Sequence, residues 1–396
     1  MIHGGRVALL LALGLLAAGC GAPSGKPPES DDAGVADATD ASRQDAGLAL
    51  DGGARDSGPE PDAAVPSCQP SDFHIIGRTD DSDPGGPRFE WSGTEIRAKF
   101  TGTSLSVKLL SGAFFDVAVD GAVRARLEAD WRSAPYTVAS GLVDATHEVL
   151  LHQRSEAFYE PSQLLGFETQ SGRGLVPSTY CPTRRIEFIG DSITCGYGVE
   201  GANQSCDFSQ ETENHDLAYA ALAARALAAE AHTVAWSGKG VFRNGDGKAD
   251  ETIPVLWSRT IPTEAASLWT FSRWTPDVVV INLGTNDFAM GIPAKADFNG
   301  AYGRFLDDLR SRYPRAFIFV AIGPMLDGAE LEAIRSDLTE LVALRRTSGE
   351  TRIALIEFAA QNVAVNGAGC DWHPSAKTQQ LMADQLVPAV RQAVGW

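Results

Sequence analysis

The sequence predicts two folded domains, an antiparallel β-sandwich resembling a jelly roll over residues 67–181 and an α/β domain over residues 182–396. Two observations support this prediction. Between Cys68 and Cys181, short runs alternate apolar and polar residues, with turn residues and no helical run between them. After Cys181, apolar strands alternate with stretches of helical periodicity, as in the βαβ units of a three-layer, doubly wound parallel sheet.

A targeting segment precedes these domains. Arg6 is followed by an apolar run over residues 7–19, which is too short to span a bilayer and has the proportions of a signal peptide. The run ends in the letters AAGC, which resemble the lipobox of bacterial lipoproteins, whose cysteine carries the lipid. We therefore expect residues 1–20 to be a lipoprotein-type signal peptide with lipidation at Cys20. The alternative is an ordinary secretory signal cleaved nearby. Both place the mature chain outside the cytoplasm, in the cell envelope or extracellular.

Residues 21–66 are predicted to be a disordered, acidic tether. They are rich in Ala, Asp, Gly, Pro and Ser, contain no aromatic residue, and carry ten acidic against three basic residues. Such a segment cannot bury a core, and its like charges keep it extended. The whole chain has a formal net charge of -18. This charge argues against nucleic acid and against electrostatic docking on anionic lipid. The only membrane contact we expect is the lipid anchor.

The sandwich is predicted from short alternating segments. An Asp120-Gly121 pair, a strong hairpin signal, follows the fourth of them. The segments are residues 89–91, 94–100, 105–109, 115–119, 136–138 and 147–151.

The α/β domain is predicted from strands that alternate with helices, and residues 277–283 form a continuous apolar run, the pattern of a strand buried on both faces. The predicted strands are residues 186–189, 232–236, 277–283, 316–322 and 353–358, and the predicted helices are residues 216–231, 295–312, 328–347 and 375–394. In such a sheet the active site lies at the carboxyl ends of the strands.

Polar clusters follow three of these strands, and a glycine-containing turn follows a fourth. Ser192, after the first strand, is the candidate nucleophile. His373, before the last helix, is the candidate base, and Asp371 is the candidate that orients its imidazole.

The same rim carries candidate donors for an oxyanion. They are the backbone N–H groups of Ser192 and Gly240 and the side-chain amide of Asn286. Spacing from the preceding strand favours Gly240 over Gly238, and both stay open.

These motifs resemble those of the SGNH (GDS-type) hydrolases. Gly-Asp-Ser stands at 190–192, Gly-Thr-Asn-Asp at 284–287, and the histidine precedes the C-terminal helix. The longer matches GDSITCGYG, SGKG, LGTNDF and DWHP, with a sandwich domain in front, resemble carbohydrate esterase family 2. The resemblance covers about residues 72–396. It implies a carboxylic ester hydrolase that deacetylates xylan, mannan or glucomannan through an acyl-enzyme.

One departure from the SGNH pattern concerns the group that orients the histidine. Many members carry an aspartate three residues before it, where this chain has Cys370. Family 2 members use either an aspartate two residues before, here Asp371, or a dyad whose histidine is held by a backbone carbonyl. Both arrangements stay open. Tyr197 and Trp372 flank the reacting residues and are candidate sugar contacts, with packing of a lid as the alternative.

The cysteines indicate an oxidising compartment. Cys68 and Cys181 bracket the sandwich and are expected to pair. Cys195 is expected to pair with Cys206 or with Cys370, which leaves one thiol. No cluster has the spacing of zinc ligands, so neither a metal nor a cofactor is expected.

The sequence therefore predicts an extracellular, monomeric serine esterase that removes O-acetyl groups from an acetylated plant-type polysaccharide or oligosaccharide. Two alternatives remain. One is a carbohydrate-binding protein that uses the cleft with little turnover, and the other is an esterase or lipase for another short acyl group.

Overall fold

The structure, a computed structural model, describes residues 68–131 and 135–396. The expected signal peptide with Cys20, and the expected tether, lie outside these residues. Among the helices described, none combines the length and the apolar character needed to cross a membrane.

The N-terminal domain is a sandwich of two antiparallel sheets, as the alternating pattern predicts. One sheet has the strand order β1-β3-β8-β5-β6 and the other β2-β9-β4-β7. The strands are β1 (Phe73–Ile76), β2 (Arg88–Phe89), β3 (Glu95–Gly102), β4 (Leu105–Leu110), β5 (Phe114–Val119), β6 (Ala122–Glu128), β7 (Tyr136–Ala139), β8 (Ala145–Gln153) and β9 (Ser162–Thr169). Strict alternation of burial along β3 places Ile96 and Phe100 in the core between the sheets.

Three strands were not predicted from the sequence: β1, β6 and β9. The strand β6 lies at a sheet edge and is exposed along nearly its whole length. Its residues 123–128 do alternate apolar and polar side chains, directly after Asp120-Gly121, so the sequence carried a local signal for this strand.

The C-terminal domain contains a parallel sheet with the strand order β11-β10-β12-β13-β14. Its strands are β10 (Arg185–Gly190), β11 (Glu230–Ala235), β12 (Val278–Asn282), β13 (Phe317–Ile322) and β14 (Ile353–Glu357). The helices are α1 (Ser192–Cys195), α2 (Tyr219–Leu227), α3 (Ile253–Leu256), α4 (Thr285–Phe288), α5 (Lys295–Arg312), α6 (Gly328–Thr347), α7 (Val363–Asn366) and α8 (Ala376–Val394).

The parallel sheet is covered on both faces, which confirms the three-layer prediction. Along β12, Val279 and Ile281 belong to a core shared with α5 and α6. Val278 and Val280 belong to the opposite core, shared with α2 and α8. Burial on both faces explains why these strands read as continuous apolar runs.

The order of the parallel strands places a switch point beside β10. The chain passes from β10 to β11 on one side and later returns to β12 on the other side. Loops that leave neighbouring strands in opposite directions open a crevice at the carboxyl edge, where ligands bind in such sheets. The segments after β10 and β12 begin with Asp191, the middle residue of the serine motif, and with Leu283, directly before the asparagine motif.

The cysteines follow the expectation in part. Cys68 and Cys181 form the predicted disulfide. The second disulfide joins Cys206 to Cys370, and Cys195 is a free, buried thiol. The expected pairing of Cys195 is therefore wrong. Cys195 lies inside α1, where its sulfur is 3.7 Å from a carboxylate oxygen of Glu156.

Candidate active site

Ser192 follows a sharp strand-to-helix turn. Asp191 caps α1, and its carboxylate accepts a hydrogen bond of 3.0 Å from the N–H of Ile193. A side chain at Gly190 would place its Cβ 2.0 Å from the hydroxyl of Thr194, so only glycine fits where the strand ends. The turn makes Ser192 the first residue of α1, at the carboxyl edge of the sheet.

His373 contacts this serine. Its Nε2 lies 2.8 Å from Ser192 Oγ. Its Nδ1 lies 3.1 Å from the main-chain carbonyl oxygen of Asp371 and 3.2 Å from that of Cys370. Carbonyl oxygens only accept hydrogen bonds, so Nδ1 carries the hydrogen and Nε2 accepts the hydrogen of the serine hydroxyl.

The carboxylate of Asp371 does not orient the imidazole. It accepts a hydrogen bond of 2.7 Å from the hydroxyl of Tyr197. Asp371 and Trp372 both have left-handed backbones, with φ of 50° and 64°. This turn presents the backbone carbonyl of Asp371 to His373. Of the two arrangements left open by the sequence, the structure has the backbone-held histidine.

Burial sets the protonation of the two key groups beside Ser192. Desolvation lowers the pKa of His373 to about 4, although the two carbonyls and the charge of Asp371 act in the opposite direction. The imidazole is therefore neutral at pH 7 and able to accept a proton. Desolvation likewise raises the pKa of Asp191 to about 7.

Asn286 connects the loops around the serine. Its side-chain amide donates to the carbonyl oxygen of Lys239 at 2.9 Å and to Asp191 Oδ2 at 3.2 Å. The adjacent Asp287 accepts hydrogen bonds from three successive backbone N–H groups, at residues 241–243, and so fixes the loop that follows the glycine motif. Both aspartates thus hold loops through backbone hydrogen bonds.

The structure favours Gly238 over Gly240 as the glycine with a free N–H donor. The N–H of Gly240 donates to Asn244 Oδ1 at 3.3 Å, and a Cβ there would lie 2.0 Å from the carbonyl oxygen of Arg243. Gly240 is thus a packing glycine. Gly238 has a φ of 78°, and its N–H has no acceptor within the described parts of the chain.

The two predicted aromatic contacts differ in environment. Tyr197 stacks on Phe208 with ring centres 4.3 Å apart and lies 4.1 Å from the His373 ring, so it packs against the base. Trp372 is 44% exposed and available to a ligand.

The sequence reasoning missed a further group of aromatic residues. Phe158 from the sandwich is half exposed and contacts Phe208 and Trp236 edge-to-face. Only Trp236 had a local signal, because it directly precedes the glycine motif.

The doubly wound sheet with a serine–histidine pair at its switch point is that of a GDSL-like (SGNH) hydrolase. Residues 188–381 match the GDSL-like lipase/acylhydrolase family. Residues 75–178 match the carbohydrate esterase 2 N-terminal family.

Similarity to individual proteins narrows this class of hydrolases to carbohydrate-acting esterases. The chain is 40% identical over 322 residues to the cellulase/esterase CelE of Acetivibrio thermocellus, an alignment that covers 81% of this chain and 39% of that protein. The chain thus spans about two fifths of that relative. It is 29% identical over 336 residues to an acetylxylan esterase/glucomannan deacetylase of Cellvibrio japonicus, covering 82% of this chain and 90% of the relative.

Solved structures of carbohydrate esterases are also similar to this chain. A family two carbohydrate esterase from Clostridium thermocellum, in complex with cellohexaose, superposes with a TM-score of 0.79 at 39% identity, covering 82% of this chain and 99% of that one. A family 2 enzyme with a carbohydrate-binding domain from Corynascus thermopiles (Myceliophthora fergusii) gives 0.73 at 31% identity, covering 82% and 100%. This chain belongs to carbohydrate esterase family 2.

Proposed function

We propose that this chain is an acetyl esterase that removes O-acetyl groups from a plant-type polysaccharide such as xylan, mannan or glucomannan. The observation that carries the proposal is the 2.8 Å contact between Ser192 Oγ and a neutral His373 Nε2. A relative named as an acetylxylan esterase/glucomannan deacetylase supports the substrate class.

The reaction proceeds through an acyl-enzyme. Ser192 Oγ attacks the acetyl carbonyl carbon while His373 Nε2 takes its proton. The carbonyls of Asp371 and Cys370 accept the Nδ1–H and stabilise the imidazolium. His373 then protonates the leaving sugar oxygen, which departs as a hydroxyl group. A water molecule, activated by the same histidine, attacks the acetyl-serine and releases acetate.

The tetrahedral oxyanion receives hydrogen bonds from the N–H groups of Ser192 and Gly238 and from the Asn286 amide. Both hydrogens of that amide are engaged in the resting site. The oxyanion displaces the longer bond, the one to Asp191.

The sugar lies against the exposed face of Trp372, since flat aromatic faces suit sugar rings. Tyr197 acts mainly as packing for the base, through its ring contact with His373. The enzyme works as a monomer, anchored outside the cytoplasm by lipid on Cys20 and held away from the membrane by the tether of residues 21–66.

Replacing the nucleophile tests this function. Ser192→Ala should lower the rate of acetate release from acetylated xylan and glucomannan by about 10⁴-fold or more, because no other group replaces the hydroxyl. Circular dichroism and thermal melting check that the variant is folded. Full turnover by the folded variant would refute the assignment.

Two further measurements separate the alternatives. A chain-length series of p-nitrophenyl esters should show a preference for acetate, and a preference beyond butyrate would favour another acyl substrate. Calorimetric titration of Ser192→Ala with cello- and mannooligosaccharides, beside the activity assay, tests for binding with little turnover. That alternative is favoured if the oligosaccharides bind tightly while the wild type releases no acetate.

The anchor is tested in bacterial cells that express the full chain. Labelling with a clickable palmitate should mark the wild type and not Cys20→Ser, and the variant should leave the membrane fraction. Equal labelling of both would exclude Cys20 as the lipid site.

A further inference from the structure

Glu156 links the sandwich to the glycine turn of the active site. It follows β8 in the loop of residues 154–161 and is almost fully buried. One oxygen, Oε2, accepts the N–H of Ser237 at 2.6 Å, and Oε1 accepts the hydroxyl of the same serine. Ser237 directly precedes Gly238, so a residue of the N-terminal domain fixes the start of the turn.

The loop that carries Glu156 is held from both domains. The N–H of Arg154 donates to the carbonyl of Phe114 at 2.8 Å within the sandwich. The carbonyl of Arg154 accepts the N–H of His215, from the α/β domain, at 3.1 Å. Glu156 therefore lies on a backbone segment that hydrogen bonds to both domains hold in place.

A second buried carboxyl group faces Glu156. The N–H of Glu156 donates to Glu213 Oε2 at 3.2 Å, while Glu213 Oε1 has no hydrogen-bond partner among the described residues. An oxygen of each carboxyl group and the sulfur of Cys195 lie within 4.8 Å of one another. The nearby Arg154 donates to the main-chain carbonyl of Glu213 and not to its carboxyl group.

Two buried carboxyl groups at this distance do not both ionise. A proton on the Glu213 carboxyl group makes that group a hydrogen-bond donor toward the Glu156 carboxylate. Glu156 then stays ionised and keeps both oxygens as acceptors for Ser237. Burial raises the pKa of both groups, and the charge of Glu156 raises the pKa of Glu213 further, in agreement with a proton retained on Glu213.

The turn held by Ser237 carries one of the oxyanion donors assigned above and contacts a second. Gly238 follows Ser237 directly, and the carbonyl of Lys239 accepts the amide of Asn286 at 2.9 Å. A shift of this turn would move a backbone donor and a side-chain donor together.

We propose that Glu156 is a positioning residue for the oxyanion hole, acting through Ser237, and that a proton held on Glu213 keeps Glu156 a double acceptor. This inference rests on the proposed esterase function. It assigns part of the reaction's geometry to the sandwich domain.

Replacing Glu156 and Glu213 each by glutamine should lower kcat by very different amounts. Glu156→Gln loses one acceptor, so kcat for p-nitrophenyl acetate should fall about 10- to 100-fold with KM changed less than twofold, since a displaced donor weakens transition-state binding. Glu213→Gln keeps a permanent N–H donor toward Glu156 and should lower kcat by no more than about twofold.

Ser237→Ala provides a second, smaller perturbation of the same contact. It removes the hydroxyl and keeps the backbone N–H, and should lower kcat about 3- to 10-fold. The double variant Glu156→Gln/Ser237→Ala should be no slower than Glu156→Gln, because both changes break the same interaction. If Glu156→Gln does not fold, the kcat and KM of Ser237→Ala decide.

Three results would overturn the inference. The first is a wild-type kcat in Glu156→Gln, or in Ser237→Ala if only that variant folds. The second is an equal loss of kcat in Glu156→Gln and Glu213→Gln. The third is a stoichiometric metal ion that is present in the purified wild type and absent from Glu213→Gln. Each would leave the esterase assignment intact while Ser192→Ala stays inactive in the same assay. Turnover by Ser192→Ala would instead remove the proposed function itself.

Discussion

Among the buried charged side chains that the sandwich places against the α/β domain, Arg78 and Glu156 differ in the charge balance of their surroundings. At the first contact, Arg78 donates to Glu187 Oε1 at 2.8 Å and to the carbonyl of Arg259 at 2.9 Å, and neither side chain of the ion pair is exposed. The other oxygen of Glu187 accepts the indole N–H of Trp257 at 2.9 Å. At the second, Glu156 faces another carboxyl group, Glu213, and one oxygen lacks a donor.

The difference separates a contact that stabilises the fold from one that shapes the site. Opposite charges with their oxygens satisfied tolerate burial, and their loss is felt mainly in stability. Two buried carboxyl groups beside the active site are costly, because one of them must keep its proton, and such costs are typical of functional positions.

The largest expected effect comes from breaking the first contact. Arg78→Met leaves Glu187 buried without a cation, and should lower the free energy of unfolding by about 3–5 kcal/mol, measured by urea denaturation. The matched control is Arg273→Met. Arg273 also joins the two domains, by pairing with Asp81 and by donating to the carbonyl of Thr79 at 2.9 Å, but both side chains of the ion pair are about half exposed, so the loss should be smaller, about 1–2 kcal/mol. Equal losses in the two variants would contradict the comparison. The kcat of folded Arg78→Met should match that of the wild type.

A smaller change in the free energy of unfolding is expected at the second contact, where Glu213→Gln should stabilise the protein at higher pH. Glu213 holds its proton in the folded state because burial raises its pKa well above 4.5, and the unfolded chain releases the proton near that value. The stability that this proton provides is complete below pH 4.5 and is lost as the pH rises toward the folded-state pKa. Glu213→Gln cannot ionise, so it should gain on the wild type with rising pH, by about 1–3 kcal/mol, the cost of one buried unsatisfied group.

Urea denaturation of both proteins at pH 5, 7 and 9 measures this gain. Parallel stability curves across the three pH values would show that Glu213 carries no such proton.

The smallest effect is expected at a third buried ionisable group, His373, whose Nδ1 contacts no carboxylate. Asp371→Asn should lower kcat less than about 10-fold, against the roughly 10⁴-fold loss when the aspartate of a Ser-His-Asp triad is replaced. Asparagine tolerates the left-handed backbone at this position, and its amide oxygen can still accept from Tyr197.

The pH profile of kcat/KM accompanies this variant. Catalysis needs the neutral imidazole, so the rate should be retained above the pKa of His373, about 4, and should fall below it in both proteins. A loss near 10³-fold in Asp371→Asn would instead assign the orienting role to the carboxylate.

The sequence predicted those parts of the fold and site that are local in the chain. Strands β12 and β13 are almost entirely apolar, and the serine and asparagine motifs directly follow the predicted strands at 186–189 and 277–283. Their convergence then follows from the geometry of parallel strands. For the same reason Ser192, Asn286 and His373 could be named without any contact information.

The parts that were missed depend on backbone conformation or on distant contacts. The left-handed turn at Asp371 and Trp372 decides which oxygen faces His373, and residue types alone do not specify it. The choice between the glycines at 238 and 240 depends on which N–H is already bonded. Glu156 meets a serine 81 positions later in the chain, across a domain boundary. No local pattern marks such a residue.

The second disulfide gives the site a dependence on redox state. Cys370 is bonded to Cys206, and its carbonyl oxygen lies 3.2 Å from His373 Nδ1. Cys370, whose carbonyl contacts the proton acceptor, is thus covalently tied to Cys206, 164 positions earlier in the chain. Thiol–disulfide exchange at Cys206 would release this bond, whereas the buried Cys195, whose raised pKa suppresses the thiolate, does not offer a competing partner. We therefore expect reductants in an assay buffer to affect the catalytic histidine, although the proposed reaction involves no electron transfer.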